Sequence, residues 1–317
     1  MDNNLFIGVM SGTSLDAVDA VLVDLSDSKS PTIIHSYSLQ IPANIQNKLF
    51  SLNQAQSNEI ELMLKMDVFM GNLISDCCMK LLSEAGVSNK KIIAIGSHGQ
   101  TIRHYPGKQL NTTLQIGDAN IIAERTGITT IADFRRRDMA VGGQGAPLVP
   151  AFHNAIFRSE YHIRVIVNIG GISNITCLPK DINLPVFGFD TGPGNTLIDL
   201  YCQDKFNTGY DSKGKLAFQG SVNQNLLSQL KSDPYFWQTF PKTTGRDYFG
   251  HQWLVDNLKN NFNETTSKHD ILATLTELTA QTIIDSIETS LPDTEEIFIC
   301  GGGAKNDYLM NRLNELA

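Results

Sequence analysis

The sequence predicts an α/β protein in which one unit is used twice, and three observations carry that prediction. The first is the opening stretch FIGVMSGTSLDAVDAVLV. There an apolar strand (Leu5 to Met10) meets a Ser-Gly-Thr-Ser turn, and a second β-rich run, Ala17 to Leu25, follows. The second is the return of the same plan from Arg164 in VIVNIGGISNITCLP, again strand, glycine turn and strand. The third is that each opening is followed by a further strand and then by helix-patterned sequence. Two such copies point to a duplicated α/β unit rather than a solenoid. A chain of 317 residues with 41% hydrophobic content has room for two cored domains.

In the first copy, Thr32 to Leu39 is the third strand. Ile45 to Glu84 reads as one helical stretch, with Leu62, Met66, Phe69, Leu73 and Ile74 on a common face. Cys77, Cys78 and the methionines there read as core filling. Ile92 to Ile95 is the next buried strand and is expected to end in GSHGQT. Polar groups at such a strand end suit a polyol ligand, and His98, Gln100 and Thr101 are the candidates; a structural histidine is the competing reading. A helix starts at Asp118, and the strand from Ile128 terminates at Asp133. The Arg-, Gly- and Pro-rich loop after it, FRRRDMAVGGQGAPLVP, is the expected hinge, which divides the chain into domains 1–132 and 133–317. Asp133 and Arg135 either face a ligand or pair on the surface.

In the second copy the third strand is VFGF. It runs into VFGFDTGPGNTLIDLY, where an acid, Asp190, precedes a turn bearing Gly192 and Gly194. A helix with Leu197, Ile198 and Tyr201 on one face follows. Glycines admit close backbone approach, and a helix start favours anions, so this corner suits a phosphate with Asp190 aimed at the reacting atom. A plain capped corner fits the same residues. Gly220 to Leu230 and Ile271 to Leu291 are further helices, and TTGRDYFG (Thr243 to Gly250) is a polar turn without an evident role. The strand Glu296 to Cys300 enters Gly301-Gly302-Gly303-Ala304, where a nucleoside or phosphate can lie against backbone. The Gly12-Thr13-Ser14 tip of the first hairpin is either an ordinary turn or a phosphate clamp, with Asp16 or Asp19 orienting a hydrated Mg²⁺.

Composition excludes several classes. Net charge is −8 and the only basic cluster is Phe134 to Arg137, so no nucleic-acid groove is expected. Five cysteines without paired metal spacing fit a reduced, cytoplasmic compartment, and no signal peptide or membrane-length apolar run is visible.

Taken together, GVMSGTSLDAVDAVLVD, GSHGQTIRHYP, IADFRRRDMAVGGQGAPLVP, NIGGISNIT, FDTGPGNTLIDL, TTGRDYFG and ICGGGAKN resemble the anhydro-N-acetylmuramic acid kinases of the sugar-kinase, Hsp70 and actin superfamily. The resemblance runs from residue 5 to about 313. It implies two ribonuclease H-like domains in a duplicated actin-like ATPase fold with an interdomain active-site cleft. It also implies ATP-dependent conversion of 1,6-anhydro-N-acetylmuramic acid to N-acetylmuramic acid 6-phosphate in cell-wall recycling. By the same resemblance Asp190 is the catalytic base. The ATP-phosphate segment is Gly12, Thr13, Ser14, Leu15, Asp16, Ala17, Val18 and Asp19, with Asp16 the Mg²⁺ candidate. Gly171, Gly192, Gly194 and Asn195 supply further phosphate contacts, and Gly301, Gly302 and Gly303 the adenosine loop. His98, Thr101, Asp133, Arg135 and Asp190 line the sugar site. Ala17 stands where the family pattern has glycine. The resemblance also implies another strand and helix beyond Ala317. A homodimer without nucleic-acid or membrane partners is the expected assembly. Two rival functions remain open at this point: an ordinary hexose or amino-sugar kinase, and a nucleotide-switched binding protein of the Hsp70 or actin type.

Overall fold

A computed structural model describes residues 4–12, 15–27, 30–53, 55, 57–105, 107, 110–246, 248–259 and 267–317. The chain divides into two units, Met1–Leu148 and Val149–Ala317.

The first unit begins with the meander β1 (Leu5–Ser11), β2 (Ala17–Asp24) and β3 (Thr32–Gln40). Alternation along β1 buries Leu5, Ile7 and Val9 and leaves Met10 exposed, the period-2 pattern of a sheet with one covered face. Two helices follow, α1 (Ala43–Ser51) and α2 (Glu59–Ala85), where one was expected. The break falls where Asn58 adopts a left-handed conformation (φ 60°) and Leu52 buries itself between the helices' cores. α2 ends at Gly86, again left-handed (φ 65°), the conformation glycine supplies at a helix C-terminus. Its buried face, Met66, Met70, Ile74, Cys77, Cys78 and Leu81, covers one side of the sheet. Each such side chain contributes about 1.5–3 kcal/mol of burial.

β4 spans Ile92–Tyr105, well past the glycine expected to end it. It continues because it changes partner. Ile95, Gly96 and Ser97 pair in parallel with β6 (Thr130–Ala132), whereas Gln100 to Tyr105 pair antiparallel with β5 (Thr112–Ile116). Gly99 sits at the switch with φ 71°, where a Cβ would meet the Ile116 carbonyl oxygen at 2.6 Å. His98, Gln100 and Thr101 are therefore interior strand residues rather than a strand end. α3 (Ala119–Thr126) starts at the expected Asp118, whose carboxylate caps the Asn120 amide. The order β3-β2-β1-β4-β6, with β1–β2–β3 antiparallel and β1, β4 and β6 parallel, is ribonuclease H-like.

The stretch after Asp133 is a helix, α4 (Phe134–Ala140), not a loop, and residues 133–148 belong to the first unit. The division falls at 148/149 rather than 132/133 because this segment is bonded back. Arg135 donates to His98 Nε2 (2.8 Å) and to the Gly145 carbonyl (2.6 Å), and Asp138 accepts from the Gly145 amide (2.8 Å).

The second unit opens with α5 (Val149–Phe157) and repeats the meander as β7 (Arg164–Ile169), β8 (Ile172–Leu178) and β9 (Phe187–Pro193). After α6 (Thr196–Phe206), α7 (Gln224–Lys231), α8 (His251–Lys259) and α9 (Lys268–Ser290), β10 (Glu296–Cys300) returns parallel to β7, and α10 (Asp307–Leu316) follows. The sheet order β10-β7-β8-β9 matches β4-β1-β2-β3 of the first unit, so the duplication holds in topology as well as in sequence. α7 starts at Asn223, which caps it, later than the Gly220 expected. Most of α9 is buried, and it packs on β8 and β9 and against α6, α7 and α10. Among the described residues no helix is long and apolar enough to cross a membrane.

Candidate active site

In the second unit three glycine-bearing segments gather at the carboxyl ends of β7 and β10. The turn Gly170-Gly171 and the turn after β9 brace each other. The Gly194 and Thr196 amides donate to the Gly171 carbonyl (2.8 and 3.1 Å) and the Asn195 amide donates to the Gly170 carbonyl (2.8 Å). The Asn195 side chain adds bonds to the carbonyls of Ile169 (3.3 Å) and Gly170 (2.9 Å). A Cβ on Gly194 would stand 2.4 Å from the Gly170 carbonyl oxygen, so glycine is required by the approach of one turn to the other. Gly301 (φ 87°) and Gly303 lie against Asn168 and Ile169 at the end of β7, while Gly302 is open to solvent. Gly192, still within β9, faces the ring of Phe236.

Asp190 lies inside β9 opposite Asn174, not at a strand terminus. Its backbone is tied on both sides: the amide donates to the Lys242 carbonyl (3.0 Å) and the carbonyl accepts from the Tyr235 hydroxyl (2.6 Å). Its carboxylate Oδ2 accepts from the Thr243 hydroxyl (2.8 Å) and the Thr244 amide (3.0 Å). Oδ1 accepts no hydrogen bond from the described residues. Burial pushes the carboxyl above the usual 3.8, and the Thr244 and Thr243 donors pull the other way. The segment that makes this clamp is the TTGR turn, which carried no role in the sequence. Lys242 anchors it from beneath: the nearly buried ammonium donates to the carbonyls of Tyr235 (3.1 Å) and Phe236 (3.2 Å) and sits 4.7 Å from the Tyr235 ring centre.

In the first unit Thr13 and Ser14 lie outside the described residues. Gly12 and Leu15 flank them, with Leu15 in a left-handed conformation (φ 61°) and its amide donating to the Gly12 carbonyl (3.2 Å). The side chains of Leu15, Ala17 and Val18 are buried in the sheet's core, so any ligand contact there is left to backbone and to exposed Asp16 and Asp19. Asp19 and His98 line one depression of about 640 Å³ on the face of the sheet, together with Gly8, Ser36, Ser38 and Phe134.

His98 and Arg135 form a bonded pair. His98 Nδ1 donates to the Gly99 carbonyl (2.9 Å) and Nε2 accepts from Arg135, so the ring is held neutral. Burial, and then the Arg135 charge, lower its pKa. Asp133 pairs instead with Arg136, and Thr101 accepts from Gln115 Nε2 (3.2 Å). Gln100, fully buried, accepts from the Ser11 hydroxyl (2.6 Å) and serves the core rather than a ligand.

A half-buried carboxylate beside braced glycine turns, within a duplicated ribonuclease H-like fold, fits a phosphotransferase of the actin-like sugar-kinase class. Comparison with known proteins narrows this. The family model for anhydro-N-acetylmuramic acid kinase matches residues 4–317. The chain is 47% identical to the anhydro-N-acetylmuramic acid kinase of Coxiella burnetii, covering 100% of this chain and 83% of that one. It is 48% identical to that of Shewanella denitrificans, covering 98% and 83%. The chain belongs to the anhydro-N-acetylmuramic acid kinase family. Solved structures are more distant: an activator of 2-hydroxyisocaproyl-CoA dehydratase from Clostridium difficile aligns at 12% identity and TM-score 0.45, over 99% of this chain and 84% of that one.

Proposed function

We propose that this kinase uses Asp190 as a general base to open the 1,6-anhydro bridge with water while O6 takes the γ-phosphoryl group of ATP. The substrate is an internal acetal, and breaking it builds oxocarbenium character at the anomeric carbon. Water adds its oxygen to C1 as the C1–O6 bond breaks, and its proton passes to Asp190 Oδ1. O6 then bonds to the γ-phosphorus, the bond to the β-phosphate oxygen breaks, and ADP leaves. Because phosphorus captures the leaving oxygen, no second carboxylic acid is needed to protonate it. One observation carries the reading: Asp190 has one carboxylate oxygen clamped by Thr243 and Thr244 and the other uncommitted. Burial favours a proton-accepting carboxylate over a weakly basic exposed one.

The braced turns, with Gly171, Gly194, Asn195 and Gly301 to Gly303, are assigned to the nucleotide. Gly12 to Asp19, of the first unit, are assigned to its phosphates. His98 and Arg135 are assigned to the sugar, with Thr101 and Asp133 nearby in sequence. No group of three or more His, Cys, Asp or Glu among the described residues could hold a metal alone. That suits Mg²⁺, which is commonly carried on nucleotide phosphates with one or two protein carboxylates. Asp16 would hold it, and when bound it neutralises charge on the phosphates. A cytoplasmic setting, a role in cell-wall recycling and a homodimeric assembly belong to the same proposal.

The test is turnover of 1,6-anhydro-N-acetylmuramic acid with MgATP in ¹⁸O-labelled water, read by mass spectrometry at early times. A 6-phosphorylated sugar labelled at C1, lost at least about a hundredfold in Asp190→Asn, is expected from removal of a general base. Unlabelled product, or full activity in the variant, would refute the role of Asp190.

A further inference from the structure

Around Gly171 the second unit holds a group of donors with no partner of their own. Thr196, the first residue of α6, is 6% exposed, and its hydroxyl has no hydrogen-bond partner. A buried hydroxyl left unmatched costs free energy, so its persistence calls for an acceptor that arrives from outside. Arg246 reaches the same spot from the TTGR turn. A Cβ built on Gly171 would lie 2.8 Å from Arg246 Nε, 2.8 Å from Arg246 Nη2 and 2.8 Å from Thr196 Oγ1. Two guanidinium nitrogens and a hydroxyl thus converge on the bare Cα of a glycine, and any side chain there would fill the space. Arg246 makes no hydrogen bond or ion pair with the described residues. Its electrostatic neighbour is Asp199, one turn into α6.

The turn after β9 offers the anion few backbone donors of its own. The amides of Gly194, Asn195 and Thr196 are spent on the carbonyls of Gly170 and Gly171. What remains for a ligand is a side-chain pair: a planar fork of charged donors and one hydroxyl beside the positive end of an 11-residue helix. Such a set matches a tetrahedral oxyanion better than a neutral polyol, because arginine donates and cannot accept.

We infer that Arg246 and Thr196 form a phosphate-oxygen subsite over Gly171 and contact the β- or γ-phosphate of the nucleotide. The inference rests on the kinase reading and adds two phosphate-contacting residues to it. The sugar's lactyl carboxylate is the competing anion, and position favours phosphate, since the subsite is built on the glycine turn itself.

Binding decides this without turnover. Isothermal titration of the full chain with Mg-AMPPNP and, separately, with adenosine would be compared for wild type, Arg246→Ala, Arg246→Lys and Thr196→Val. Loss of one or two charge-assisted hydrogen bonds predicts a 10- to 100-fold weaker Kd for Mg-AMPPNP in Arg246→Ala, partly restored by Lys, and about 10-fold weaker in Thr196→Val. Adenosine affinity should not change. Equal losses for both ligands would mean a structural role and would overturn the inference, as would unchanged Mg-AMPPNP affinity. An Arg246→Ala defect confined to the sugar, absent with 1,6-anhydro-N-acetylglucosamine, would reassign the subsite to the carboxylate and overturn it as well. Failure of wild type to phosphorylate the sugar while these binding differences persist would count against the substrate reading alone.

Discussion

Replacing Asp199 by asparagine should make the protein more stable at neutral pH, the reverse of what loss of a charge beside an arginine suggests. Asp199 lies in the first turn of α6, and burial lifts its carboxyl from 3.8 to about 6 although Arg246 opposes the rise. Ionising it inside the fold therefore costs free energy. At 1.36 kcal/mol per pH unit the gap corresponds to roughly 3 kcal/mol, and partial solvent contact of the side chain reduces that to about 1.5 kcal/mol. The sign follows from linkage. Below 3.8 the group is protonated both folded and unfolded, and the cost vanishes. It grows as pH rises from 3.8 and is complete above about 6. Thermal unfolding of Asp199→Asn and wild type, followed from pH 4 to pH 8, should show curves that coincide at the acid end. By pH 7 the variant should unfold roughly 3 °C higher. A variant less stable at pH 7, or a difference independent of pH, would show that the Arg246 attraction outweighs desolvation and would refute the argument.

Thr243→Val keeps the shape of the clamp and removes one donor to Asp190, leaving burial less opposed and its pKa higher still. Activity should then fall about tenfold for each 1.4 kcal/mol lost on the acid limb of the pH–rate profile and approach wild type at alkaline pH; a uniform loss at every pH would contradict this. Arg312 pairs with Glu277, whose side chain is 2% exposed. Arg312→Met should cost about 3–5 kcal/mol by stranding that carboxylate, and adding Glu277→Leu should recover much of it, measured by urea denaturation. If the double variant is no better than the single one, lost packing rather than the stranded charge is the cause.

Much of this fold was legible because its signals are local. Alternation in β1 and β2, the glycine turns and the cap at Asp118 each declare themselves within a few residues. The duplication was readable because both meanders open with the same pattern. β4 was cut short because Gly96 and Gly99 read as punctuation, whereas Gly99 is there for the approach of Ile116, a neighbour only in three dimensions. α4 was hidden by the glycines that follow it. The site divides the same way. Asp190 was singled out as a candidate by the motif around it, but Thr243, Thr244 and Arg246 stand more than fifty residues away and reach it or its turn through the tertiary fold alone. Their only signal was a compact polar turn that nothing local explained.

The bracing of the two glycine turns also bears on how this enzyme could be altered. The amides of one turn are satisfied by the carbonyls of the other, so the brace is in place before any ligand arrives. On the proposed assignment of these turns to the nucleotide, chemical preference is delegated to side chains that perch on the brace, such as Arg246 and Thr196, and contribute little to holding it together. Substitutions at those perches can retune what is bound while the scaffold stays intact, which makes this corner a favourable starting point for redesigning acceptor or donor preference.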